Sequence, residues 1–162
     1  MHFFHPRRLF LSAACGLCSA AFLTACSSPH FRELDSDLHG QVEAYRTEAP
    51  KLRKRIEEDD AALDRAAAAR TLPTEDRKTL NAFIADRRDV LRRFESSVDE
   101  WAVIDKELHA VINGARDEAK EKALQDRLEK FHDKTRALNT DFDSIQQRET
   151  EIRNRLMAIP KN

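Results

Sequence analysis

The chain has 162 residues, with 28 Lys and Arg against 29 Asp and Glu, so its formal net charge at neutral pH is −1. That length suits one domain, and so even a balance argues against nucleic acid as the main partner, because phosphate binding draws on a basic excess. Three glycines in all are too few for a glycine-rich phosphate loop or many strand turns, whereas a charged fraction of 35%, above the ~25% of ordinary globular domains, points to long helices or coiled coil.

The first element is an export signal. MHFFHPRR carries Arg7 and Arg8, and no acid precedes Glu33. LFLSAACGLCSAAFL follows, 15 uncharged and mostly apolar residues. A basic stretch and an apolar run of this length describe a signal peptide and are too short to span a membrane. Cys15 and Cys18 within it have C-x-x-C spacing. A redox pair of that kind sits at a helix start after a strand, and a structural zinc needs a second Cys/His pair, which does not follow at suitable spacing. Both cysteines are expected to leave with the signal.

The run ends in Leu23-Thr24-Ala25-Cys26, which resembles the lipobox of bacterial lipoproteins. The resemblance covers the first 26 or so residues. It implies cleavage between Ala25 and Cys26, a lipid on the Cys26 sulfur and an acylated amine. Ser27 after the lipidated cysteine, in place of an Asp, resembles outer-membrane cargo under the enterobacterial sorting rule. Each buried methylene adds about 0.8 kcal/mol and two chains suffice for stable anchoring. The expected organisation is a signal peptide over 1–25, a lipidated tether over 26–29 and a helical domain over 30–162.

Cleavage leaves 137 residues carrying 26 basic and 29 acidic side chains and no free thiol. The first helix is expected over 29–71. Ser28-Pro29 fits an N-cap followed by the first helical position, and the apolar seam runs Phe31, Leu34, Leu38, Val42, Tyr45, Ala49, Leu52, Ile56, Leu63, Ala66. Pro50 lies inside it, so a kink or short break is expected there, with Thr47 recapping the chain. Leu72-Pro73-Thr74 ends the helix, because a residue before proline avoids helical geometry. Thr74 caps a second helix over 74–113 with seam Leu80, Ile84, Leu91, Phe94, Val98, Trp101, Leu108, Ile112. Arg87 falls on that seam, as a breach or as an edge residue reaching for water. Asn113-Gly114 offers a left-handed stop. The third helix, 115–159, carries the most regular heptads: Leu124, Leu128, Phe131, Thr135, Leu138, Phe142, Ile145, Glu149, Ile152, Leu156, Ile159. Extending the second seam past Gly114 clashes with this register, which favours a break over one continuous arm.

Three near-equal helices with short connections predict an all-α, antiparallel three-helix coiled-coil-like bundle. A helical hairpin with one long second arm is the alternative. With turns near 72 and 114, residue i of the first helix lies level with 145 − i and 83 + i. Tyr45, Trp101, Leu128 and Phe131 then share an aromatic-rich core layer.

The sharpest charge feature is Lys51-Leu52-Arg53-Lys54-Arg55 followed by Glu57-Glu58-Asp59-Asp60. Lys51, Arg53, Lys54 and Arg55 can form a patch for anionic lipid, lipopolysaccharide or an acidic partner. The favoured reading is a solvated face whose acids meet Arg87 and Arg88 across the bundle, since Glu58 is level with Arg87. Arg92 and Arg93 are level with Arg53 and Leu52, which extends the patch to a mid-bundle band. His39 and His109, brought opposite Lys106 and Ser36, are the candidates for a metal or pH-sensing site, against a plain surface reading. No nucleophile elbow surrounds any serine, and no cofactor is called for. Leu72-Pro73-Thr74-Glu75-Asp76 is faintly similar to the Leu-Thr-x-x-Gln signature of helical periplasmic stress chaperones, with Pro73 and Asp76 departing from it, so no residue role is carried over.

The sequence thus reads as a noncatalytic lipoprotein of the cell envelope, facing the periplasm. Its expected partners are the membrane, through Cys26, and another envelope protein, with self-association left open. A periplasmic chaperone-like or stress-sensing helical protein is the alternative.

Overall fold

The computed structural model describes residues 28–115 and 117–160. The expected signal peptide and the lipobox-like Leu23–Cys26 lie outside the described residues. Three helices follow one another, α1 (Ser28–Ala68), α2 (Thr74–Asn113) and α3 (Glu118–Ala158), with no strand among the described residues. The protein is an all-α three-helix bundle. Among the described residues no helix is long and apolar enough to cross a membrane.

Each helix gives one stretch to each of two compact units. The first unit takes α1 through Tyr45, α2 from Ser97 and α3 through Asn139; the second takes the segments Arg46–Ser96 and Thr140–Asn162. In the second unit, Arg53 meets Glu95 while Asp60 meets Arg87, so numbers rise along α1 as they fall along α2. In the first unit Lys134 of α3 reaches Glu100 and Arg127 reaches Glu107, so α2 and α3 are likewise antiparallel.

The first unit is built largely on the expected heptads, with Ile104 and Ala102 of α2, outside the expected seam, added to its core. Leu34, Leu38 and Val42 of α1 pack with Trp101, Ile104 and Leu108 of α2 and with Leu124, Leu128 and Phe131 of α3. Tyr45 packs against this core from its edge. Its ring meets Trp101 edge-on, centroids 5.7 Å apart at 86°, and Trp101 meets Phe131 at 5.2 Å. The expected aromatic layer is therefore present, and burial pushes the Tyr45 phenol up to about 12. Thr135 resolves its place in an apolar seam locally, donating to the Phe131 carbonyl at 2.9 Å.

The second unit is buried more widely along α2. Phe83 and Val90 join Leu80, Ile84, Leu91 and Phe94 in the core, so the apolar face there exceeds a two-position seam. At the end of α1 it is Ala67, not the expected Ala66, that is fully enclosed.

Four local expectations change. First, α1 runs unbroken through Pro50: the ring cannot donate to the Arg46 carbonyl, yet Ala49 before it and Ile56 after it are both in the core, and that packing holds the helix together. Second, α1 stops at Ala68 rather than residue 71. Arg70 folds back over the end, donating to the Ala66 carbonyl at 2.7 Å and to the Ile159 carbonyl at the end of α3 at 3.1 Å. Those are orphan acceptors of two helix C-termini. Third, Gly114 has no positive φ. Glycine is needed there for space, because a Cβ would stand 2.8 Å from the Ala110 carbonyl oxygen. Fourth, α3 starts at Glu118 rather than 115, capped by Asp117, whose carboxylate accepts from the Ala119 and Lys120 amides at 3.1 and 3.2 Å. The hydrogen bond from the Lys120 amide, above all, holds the Asp117 carboxyl below its ordinary range. This later start also moves the levels. Arg93 meets Asp141 on α3, where a turn at 114 would have set it beside Thr135.

Candidate functional site

All eight cations of the predicted band belong to the second unit. Lys51, Arg53, Lys54 and Arg55 stand on the exposed face of α1, and Arg88, Arg92 and Arg93 on that of α2. Their spacing follows from the helix: Arg88 and Arg92 are four apart, and so are Lys51 and Arg55. The eighth, Arg87, points inward and is 4% exposed.

Each of the eight meets a carboxylate. Arg53 holds Glu95 with both arms of its fork, Nε to Oε1 at 2.7 Å and Nη2 to Oε2 at 2.6 Å. That bidentate bond raises the Arg53 pKa. Arg93 donates to Asp141 at 2.7 Å and to Asp89 at 3.0 Å, and Asp141 raises its pKa. Arg92 shares Asp89. Lys51 meets Glu48 at 2.7 Å, Arg55 meets the same carboxylate at 3.8 Å, and Lys54 meets Glu58 at 3.9 Å. Arg88 donates to Asp60 at 2.9 Å.

The band is thus a mosaic of alternating charge, not a positive surface. An anion arriving there competes with a carboxylate already in place at every guanidinium. The long, solvated pairs such as Lys54–Glu58 exchange easily, since exposed ion pairs of this kind are worth at most about 1 kcal/mol. Of the two sequence readings, acids meeting Arg87 and Arg88 across the bundle is the one the geometry matches, with Asp60 as the acid.

The two histidines fall within one residue of their expected levels. His39 Nδ1 lies 3.0 Å from Asp105 Oδ2, and His109 Nδ1 lies 3.5 Å from Asp35 Oδ2. Each imidazole faces a carboxylate of the other helix. Among the described residues no group of three or more His, Cys, Asp or Glu is disposed to hold a metal ion. The Asp105 hydrogen bond and charge raise the His39 pKa above 6.5, with Glu43 and Asp35 adding to them. A raised folded value means that the contribution of His39 is complete below 6.5 and fades as pH climbs through the folded value. The urea midpoint of the wild type should therefore exceed that of His39→Gln by most in acid, and the gap should close on titration above 6.5. A constant gap would show that charge on this ring does not matter.

No protein-family model, no curated protein and no solved structure matches the chain.

Sequence reasoning passed over three side chains that matter here. Asp60 looked like the last of four acids on a wet face, yet it is 1% exposed. The available signal was its place in the heptads: it fills the step between Ile56 and Leu63 that the apolar seam skips. Glu149 was legible as a polar seam position, without its partner; it takes Arg87 at 3.4 Å and Arg153 at 2.8 Å. Arg70 gave no pattern at all, since it lies in a connection and acts through backbone carbonyls.

Proposed function

We propose that this chain is a noncatalytic envelope lipoprotein, held to a membrane through Cys26, whose bundle binds another envelope component through the charged mosaic of the second unit. The observation that carries the reading is Leu23-Thr24-Ala25-Cys26 at the end of a basic-then-apolar signal. The fold supports it in one respect: α1 begins at Ser28, so a single residue separates Cys26 from the helix. The two Cα–Cα steps from Cys26 to Ser28 reach at most about 7 Å. A lipid at Cys26 then keeps the start of α1 at the membrane surface.

The recognition surface in this reading is polar. Among the described residues the large apolar side chains in the open are Val103 and Met157, which belong to different units. Unfolded clients are gripped through contiguous apolar patches, so the partner we infer is a folded protein with a charge mosaic of its own. Binding of that kind weakens as salt screens it.

Metabolic labelling with palmitate tests the anchor. The wild-type chain should take the label and sediment with membranes, and Cys26→Ala should lose both. Retained label or membrane attachment in that variant overturns the anchor. Photo-crosslinking in cells from positions 88 and 92 tests the partner: one stoichiometric protein, lost at high salt, is the expected product. Lipid and abundant porins alone would remove the adaptor role and leave the anchor standing.

A further inference from the structure

The core of the second unit contains one layer made of charge. Asp60 from α1, Arg87 from α2 and Glu149 from α3 meet there, one residue per helix. Above and below are apolar layers: Ile56 and Leu63 on α1, Ile84 and Leu91 on α2, Ile145 and Ile152 on α3. Arg87 Nη2 donates to Asp60 and Nη1 to Glu149, its guanidinium lies 5.0 Å from the Phe83 ring, and its Nε has no partner. Asp60 is completed by Arg88 and Glu149 by Arg153, both from the rim.

We propose that this layer is a register device: it selects one alignment of the three helices rather than adding to their stability. The apolar layers discriminate poorly, because Leu, Ile, Val and Phe at heptad spacing fit one another after a slip of seven residues. The ionic layer does not. Sliding α1 by one heptad along α2 sets Arg87 against Arg53 or Ala67, and sets Asp60 against Leu80 or Phe94. Either slip buries a charge without its counter-ion. A buried ion pair gains little against an apolar replacement of similar volume, whereas a broken one is severely penalised. The orphaned Arg87 Nε fits that balance, being a hydrogen bond that the layer gives up. Thr135, the uncharged polar residue of the α3 seam, bonds within its own helix and so distinguishes no register.

The test replaces the whole layer in the full-length chain, purified in detergent, with Asp60→Leu, Arg87→Leu and Glu149→Leu together. Arg88 loses its partner but is 61% exposed and stays hydrated. Backbone amide spectra and urea melts are read on the same samples. The wild type should give one set of amide resonances for the second unit. The triple variant should melt at the same urea concentration or higher and give two or more sets, one per register. A single set in the triple variant overturns the proposal. So does loss of its helicity, because the layer would then be supplying stability. A second variant, Ile56→Asp with Leu91→Arg, moves the charge one layer along and restores a counter-ion; together with the triple replacement it should return the spectrum to a single set.

Discussion

Arg87→Leu should cost the second unit about 3–5 kcal/mol. Two carboxylates share that guanidinium, and one of them, Asp60, is 1% exposed. Removing Arg87 leaves Asp60 with Arg88 alone and Glu149 with Arg153 alone, at the edge of a cavity lined by Phe83. Against a typical total of 5–15 kcal/mol, such a loss consumes a large share of the stability. Urea denaturation followed by circular dichroism at 222 nm, a wavelength typical of helix, should show the midpoint falling well below that of the wild type. Adding Asp60→Leu and Glu149→Leu to the same chain should recover all of it or more. A single variant as stable as the wild type would mean that water reaches the layer and solvates the carboxylates.

Trp101→Ala should have an effect of similar size on the first unit, about 3–5 kcal/mol for truncating a buried aromatic. Trp101 is the one tryptophan of the chain and sits between Tyr45 and Phe131, with ring contacts on both sides. Its loss removes apolar burial and two aromatic pairs at once, each pair worth about 0.5–1.5 kcal/mol beyond area. Trp101→Phe should keep most of the stability, since a ring remains to meet both neighbours. Thermal melts of the two variants separate the cases: a wide gap between Ala and Phe supports a packed aromatic layer, and equal losses would assign the indole another role.

These two residues also show why one part of the fold was legible and another was not. Trp101 belongs to a run of apolar residues at heptad spacing, and hairpin arithmetic placed Tyr45 and Phe131 beside it. Helix identity, the break after Asn113 and the aromatic layer all follow from periodicity and short connections, which are local properties. Arg87 was visible as an interruption of the same pattern. What it does there depends on Asp60 and Glu149, which lie 27 and 62 positions away. A heptad pattern reports that a position faces inward, but not which charge waits across the bundle.

The charged band stayed open between two readings for the same reason. Lys51 to Arg55 with Arg87 to Arg93 is a basic surface when each helix is read alone. Glu95 and Asp141 meet Arg53 and Arg93 once the helices lie side by side, and Asp89 meets Arg92 and Arg93 within α2, so the band is a charge mosaic. The end of α1 and the start of α3 were each misplaced by three residues, because the decisive contacts come from side chains in the connections. Arg70 closes two C-termini and Asp117 opens α3.

The sequence by itself determined that the chain folds as three antiparallel helices, and where their apolar seams run, because side-chain periodicity and proline and glycine chemistry act over a few residues. It also holds the only ground for the proposed Cys26 anchor, since an export signal and a lipobox would be an address written in residue order. The tertiary structure alone decided which charges are buried, which are paired and which helix end each connection closes. Those outcomes depend on desolvation and on partners brought from distant positions, and both come into being only when the helices pack.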